Sequence, residues 1–176
     1  MGALAVGMLS GFVHGAQMSP VLDVLVGGWQ VNGIWTLQAG PTLGIGVSNN
    51  SGAFSQGIRP NWTGADPTID ADAKDKLDRW FDPTVFSQPA PFTFGNGSER
   101  IPGLRAHHLN SFDLSLIKEV RPAASFRLEL RVEAFNIFNY VQFGSPNTTL
   151  SSATVGQVTS QANAPRQMQF GVKAIW

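Results

Sequence analysis

The segment Arg166-Gln-Met-Gln-Phe-Gly-Val-Lys-Ala-Ile-Trp176 alternates strictly and stops on an aromatic. In an extended strand, successive side chains point to opposite faces. One face of this segment therefore carries Met168, Phe170, Val172, Ala174 and Trp176, and the other carries Gln167, Gln169, Gly171, Lys173 and Ile175. A transmembrane strand needs about 9–11 such residues, apolar toward lipid and polar toward the lumen. An ordinary half-buried strand of a soluble sheet alternates in the same way, so the rest of the chain has to decide between the two.

Composition favours lipid. The chain is 43% hydrophobic and only 14% charged, against roughly 25% charged in an average soluble domain. Before Arg59 the only formal charge is Asp23. No run of 18 apolar residues marks a transmembrane helix. The absence of cysteine excludes a disulfide framework, a thiolate metal site and a cysteine nucleophile. A net charge of zero gives no electrostatic basis for binding nucleic acid. Met1 to Gln17 is apolar and Gly-rich, but it lacks the basic start and cleavage site of a signal peptide. A barrel strand set without its own export signal is expected to be the C-terminal piece of a longer chain, with residues 1–19 a misplaced start.

Further alternating stretches follow the same logic. Over Val31–Val47 the odd positions are mostly apolar and the even ones mostly polar, and Pro41 marks a bulge or the point where the strand leaves the bilayer. Asn110–Lys118 sets Phe112, Leu114 and Leu116 against Ser111, Asp113 and Ser115. After a short turn at Arg121–Ala124, the residues Phe126, Leu128, Leu130 and Val132 alternate with Arg127, Glu129, Arg131 and Glu133. Four charges of alternating sign on one strand face suit a hydrated lumen, so Arg127, Glu129, Arg131 and Glu133 are expected to face it. A weaker strand occupies part of Met1–Gln17. The connections alternate in length: short at Ser19–Gly27 and Arg121–Ala124, long at 49–108 and Asn139–Pro165. In an outer-membrane barrel the long ones are extracellular.

The expected fold is thus all-β, an antiparallel meander of 4–5 strands. It forms a partial, unclosed segment of a transmembrane β-barrel, since the smallest barrels have about eight strands. The competing architecture is a secreted or surface β-sandwich that binds carbohydrate, in which the apolar faces of two sheets meet.

The segments Pro20-Val-Leu-Asp-Val-Leu-Val-Gly-Gly-Trp-Gln-Val-Asn-Gly-Ile-Trp-Thr-Leu-Gln-Ala-Gly40, Arg79-Trp-Phe-Asp-Pro-Thr-Val-Phe86 and Arg131-Val-Glu-Ala-Phe-Asn-Ile-Phe-Asn139 resemble the C-terminal barrel of Oar-like TonB-dependent receptors. The ending Pro165–Trp176 is similar too. The resemblance implies an outer-membrane barrel, plugged by an N-terminal domain and energised by the TonB complex, that takes up or senses a bulky ligand such as an oligosaccharide, siderophore or peptide. It implies outer-membrane lipid and the barrel-assembly machinery as further partners, with Phe170 and Trp176 as the assembly signal. The plug and TonB box have no counterpart in this sequence.

Chemistry is sparse. Adjacent His107 and His108 would point to opposite faces of a strand, and metal sites need several convergent ligands. Asp70-Ala-Asp72-Ala-Lys74-Asp75 opens like a calcium loop, but it has Lys at the fifth position and lacks Gly at the sixth and Glu at the twelfth. A short surface helix capped by Asp70 or Asp72 and ending near Trp80 is expected instead. No nucleophile motif with a base at readable spacing is present, so neither enzyme activity nor a cofactor is expected. Trp29, Trp35, Tyr140 and Trp176 are belt aromatics or packing residues. Trp62, Trp80, Phe81 and Phe86, in the long loop with Phe92 and Phe94, either contact ligand or form the loop's own core.

Overall fold

A computed structural model describes residues 27–50, 52 and 57–176, together with the backbone of residues 4–13. The long strands are β1 (Leu4–Val13), β2 (Trp29–Gln38), β5 (Leu109–Ala123), β6 (Phe126–Phe135) and β7 (Gln167–Ile175). They form one antiparallel sheet in the order β1-β2-β5-β6-β7. Strands β3 (Asn61–Trp62) and β4 (Phe86–Ser87) make a separate two-stranded ladder between β2 and β5 in sequence. The expected meander is present, including its fifth, N-terminal strand. The connection placed at Ser19–Gly27 lies almost wholly outside the described residues.

Register places the two faces of the sheet. Trp35 pairs with Phe112, Val31 with Leu116, Leu116 with Val132 and Val132 with Phe170, so one face is apolar across four strands. Opposite it, Asn32 pairs with Ser115, Ser115 with Glu133 and Glu133 with Gln169. The apolar face of β7 is bare: Phe170 is 75% and Val172 72% exposed. In a sandwich those side chains would meet a second sheet. None covers them among the described residues, which is the arrangement of strands made to face lipid.

The polar face balances its own charge. Glu119 and Glu129 lie directly opposite each other, a repulsive placement taken alone. Arg121 and Arg127 approach Glu119 at 2.7 and 3.8 Å, and Arg131 bridges Glu129 at 2.8 Å and Glu133 at 3.6 Å. Glu133 also accepts from Gln169. Arg127, Glu129, Arg131 and Glu133 therefore share one face, as alternation predicts.

Two boundaries differ from the sequence reading. The turn before β6 is Ala124–Ser125, not Arg121–Ala124, because a bulge between Val120 and Ala123 carries β5 past Pro122. Proline offers no amide to a ladder, and a bulge is where a strand tolerates it. The extended run from Val31 ends as a sheet strand at Gln38. Beyond it the chain stays extended, bonding Leu43 to Leu104 (N···O 3.0 Å) and Ala106 to Pro41 (3.0 Å). The alternation therefore continues while its apolar side turns into a different core, where Leu43 and Ile45 are buried.

β1 and β7 are the edges of the sheet and run in the same direction. Closing the sheet as an antiparallel barrel takes an odd number of further strands, and reaching about eight takes roughly three. Two copies related by an axis along the barrel would instead join β7 to β1 in parallel.

Candidate functional site

The two long connections, 39–108 and 136–166, fold together at one end of the sheet. Their shared core holds Leu43, Ile45, Trp80, Phe81, Phe86, Ile101 and Leu104, with Leu150, Val155 and Val158 of the second connection packed against it. Backbone bonds stitch the two: Trp80 donates to Gly156 O (2.8 Å), Val158 to Leu77 O (2.8 Å) and Gly46 to Thr148 O (2.9 Å). The result is a cap with its own hydrophobic interior, which is how connections this long avoid exposing unsatisfied backbone.

The Arg79–Phe86 motif is the cap's centre. Asp82 accepts from the Thr84 backbone amide (3.1 Å) and hydroxyl (2.8 Å) and from Arg79 (2.5 Å), and it caps the one-turn 3-10 helix η2 (Pro83–Val85). The Thr84 side-chain and backbone bonds, then Arg79, hold its carboxyl below the usual carboxylate range. This turn drives Trp80 and Phe81 inward from one side and Phe86 from the other. Phe81 is fully buried and meets Phe86 edge-on at 6.4 Å. Trp62 stacks on Phe86 at 6.3 Å, half-buried. As ligand contacts, Phe81 and Phe86 are therefore corrected: with 0 and 5% of their surface exposed they present nothing to a ligand, and packing is their role; Trp80, 4% exposed, packs in the same core and also lines a cleft. The surface helix expected to reach Trp80 is the three-residue 3-10 turn η1 (Ala73–Asp75), whose cap position, Asp72, makes no side-chain bond.

A second motif locks the cap to the sheet. At the end of β6, Asn136 and Asn139 adopt left-handed φ values of 50° and 54°, a conformation asparagine tolerates better than most residues. Buried Asn136 donates through Nδ2 to the carbonyls of Tyr140 (2.9 Å) and Ala164 (3.3 Å), accepts the Tyr140 amide at Oδ1 (2.9 Å), and gives its own amide to Asp113 (2.8 Å). Asn139 Oδ1 accepts the Arg166 amide at 3.0 Å. The Phe135–Asn139 run and the Pro165–Trp176 ending, far apart in sequence, thus meet in one clasp. Asn136 was not singled out in the sequence reading, although the repeated Phe-Asn spacing was its signal.

Within the first connection, at its junction with β2 and β5, lies a cleft of about 440 Å³ lined by Asp72, Lys76, Trp80, Arg105, His107 and His108, with Ala39 and Gly40 at its edge. Gly40 is required there, because a Cβ would lie 1.8 Å from Ala106 O. His107 and His108 precede β5, and their rings sit 4.5 Å apart on this cleft rather than on opposite strand faces. The correction follows from their position outside the ladder, where strand alternation does not apply. His107 Nδ1 accepts the Phe143 amide at 3.2 Å, joining the two connections, and its ring contacts Trp80 edge-on at 6.0 Å. Burial, then the His108 and Lys76 charges, hold the His107 pKa below 6.5. A folded value below the unfolded one stabilises the cap above the unfolded pKa, and this stability is lost as pH falls through the depressed folded value. The urea midpoint of the cap, followed by tryptophan fluorescence, is expected to fall between pH 7.5 and pH 5. His107→Gln, which keeps an acceptor but does not titrate there, should lose that fall. An equal fall in both proteins would assign the pH dependence elsewhere.

No group of three His, Asp or Glu residues is arranged to hold a metal among the described residues. The apolar face has aromatics at two levels: Trp35, Phe138 and Tyr140 near the cap, and Trp29 and Trp176 toward the other end. Trp35 lies six residues beyond Trp29 in β2, about 20 Å along a strand. At the lower level Lys118, though on the apolar face, is buried, bonds Gly27 O and lies 5.1 Å from the Trp29 ring centroid. This is how a cation is accommodated beside lipid. Phe170 projects from the same face and Trp176 is 91% exposed.

An open antiparallel sheet with a bare apolar face, a charge-balanced polar face and long connections at one end has its counterpart among known families: the model of the outer membrane beta barrel domain matches residues 5–169. The chain belongs to this outer membrane β-barrel family. Its place is the bacterial outer membrane, with the apolar face toward lipid. The match begins within β1 and runs through the clasp into the start of β7, so β2, β5, β6, nearly all of β1 and the whole cap fall inside it, while most of β7 lies beyond it. No curated protein and no solved structure matches the chain.

In the first connection, Thr93 bonds Ala90 O (3.2 Å) around Pro91 and Phe92, and Phe92 has φ 60° with 79% of its surface exposed. A turn with positive φ at its third residue favours glycine. Phe92→Gly is expected to stabilise the cap by about 1 kcal/mol, read as a raised urea midpoint. A lowered midpoint would mean that the ring packs in solution.

Proposed function

We propose that this barrel sheet and its cap form the C-terminal wall of a TonB-dependent receptor that takes up or senses a bulky ligand. The observation that supports it most is the cap. Two connections are packed into one unit around a shared core at the end of the sheet, a heavy investment for a barrel that only anchors or leaks. The Arg79–Phe86, Phe135–Asn139 and Pro165–Trp176 segments, which resemble Oar-like receptors, are the residues that build the cap and tie it down. In this reading the cap is extracellular, Arg127, Glu129, Arg131 and Glu133 line the lumen, and an N-terminal plug carried elsewhere couples the barrel to the TonB complex. Phe170 and Trp176 serve the barrel-assembly machinery. The ligand is an oligosaccharide, siderophore or peptide, bound rather than chemically transformed.

The test is genetic. A strain lacking the gene is grown on a panel of oligosaccharides, ferric siderophores and peptides as sole source of carbon, iron or nitrogen, beside a strain lacking the TonB complex and one lacking both. The expected result is a defect on one class of nutrient that is shared by all three strains and is no deeper in the double mutant. No defect on the panel, or a defect that deepens in the double mutant, would overturn the reading.

A further inference from the structure

The cleft gathers basic groups that no carboxylate pairs with among the described residues. Lys76, half-buried, lies 4.8 Å from the Trp80 ring centroid and has one polar partner, the Ile69 carbonyl at 3.4 Å. Arg105 bonds Gly40 O through Nη1 at 2.9 Å and keeps the rest of its five donors. Among the described residues, His107 spends Nδ1 on the Phe143 amide and leaves Nε2 uncommitted, and exposed His108 beside it makes no hydrogen bond. Asp72 shares the cleft, yet neither Lys76 nor Arg105 is within ion-pair distance of any carboxylate among the described residues. The other charge clusters of the molecule behave differently: on the polar face of the sheet every arginine that approaches a glutamate forms a pair.

Like charges are costly to hold together, and this arrangement is fixed by packing. Trp80 is locked by its indole bond to Arg105 O (2.8 Å), Lys76 lies over that ring, and Gly40 brings the β2 exit against Ala106. We propose that this cleft is an anion-binding site that takes the carboxylate or phosphate group of a soluble ligand, with Lys76, Arg105 and the two imidazoles as its donors and the Trp80 ring as its wall. Charge-assisted bonds to such an oxyanion are the strong kind, and the cleft has room for a small polyanion. The proposal names a ligand chemistry for the receptor inferred above and takes its biological meaning from that reading, but the binding itself stands on the cleft alone.

The experiment uses the full chain in detergent micelles, with citrate and inorganic phosphate as probes, followed by NMR of the histidine ring protons. The expected result is saturable shifts of both His107 and His108 with at least one probe. Lys76→Gln should weaken binding about tenfold or more, the loss of one charge-assisted bond. Lys74→Gln, two residues away and outside the cleft, should leave it unchanged. An unchanged circular dichroism spectrum and urea midpoint would certify the fold of each variant. No saturable shift with either probe, or equal weakening by Lys74→Gln and Lys76→Gln, would overturn the proposal, whatever the genetic test of TonB dependence shows.

Discussion

Replacing Phe81 with Ala is expected to destabilise the cap by about 3–5 kcal/mol, the cost of emptying a fully buried aromatic site. The ring has no exposed surface, touches Phe86 edge-on and sits in a segment whose backbone is pinned on both sides, by Trp80 N to Gly156 O and by Asp82 N to Pro67 O, each at 2.8 Å. Those bonds hinder the segment from collapsing into the cavity, which favours the upper end of the range. Protease cleavage within 39–108 and 136–166 should accelerate together, since both connections share the core, while the β-sheet signal in circular dichroism persists. Phe81→Leu, which keeps most of the volume, should cost distinctly less. Cleavage confined to the first connection would show that the two do not fold as one unit.

The second large effect is expected at Asn136. Alanine there would lose three side-chain hydrogen bonds, leave the Tyr140 amide without its acceptor, and put a Cβ-bearing residue of poor left-handed tolerance at φ 50°. The left-handed penalty is about 1 kcal/mol and each abandoned buried group costs about 1–3 kcal/mol, giving roughly 3 kcal/mol in all. Two companion variants separate the terms. Asn136→Gly removes the bonds but relaxes the backbone, and Asn136→Asp keeps an acceptor and the left-handed tolerance but loses both donors. Hydrogen exchange at the Tyr140 amide should accelerate most in the alanine variant. If Gly and Ala exchange equally fast, the backbone term is negligible and the side-chain bonds alone hold the clasp.

Most of the sheet was legible because a strand has a period of two and each face of this one meets a different solvent. Phe126–Ala134 could be assigned a face residue by residue, and the register confirmed that Arg127, Glu129, Arg131 and Glu133 share one side. The same period misled at Val31–Val47. Alternation records only that a segment is extended with one apolar side, and Leu43 and Ile45 spend that side on the cap rather than on the sheet. Arg121–Ala124 erred for a related reason: Pro122 signals a turn or a bulge equally well, and the pairing of Ala123 with Phe126 decides for the bulge.

In the cap, local chemistry was readable only in part. Asp82-Pro83-Thr84 has the residues of a capped turn, and the aromatics around it announced a core or a contact surface without distinguishing them. That choice depends on what lies across from Phe81, which pairs with Thr68 and meets Phe86, while the residues on either side of it bond Pro67 and Gly156. His107 and His108 show the limit most clearly: their adjacency in sequence says they diverge if they lie in a strand, and only the start of β5 at Leu109 places them outside one. Local periodicity and composition thus specify a lipid-facing antiparallel sheet, because each strand's two faces are written in its own residues. The cap, the clasp and the basic cleft belong to the tertiary structure, because each is made by groups tens of residues apart whose meeting no local pattern encodes.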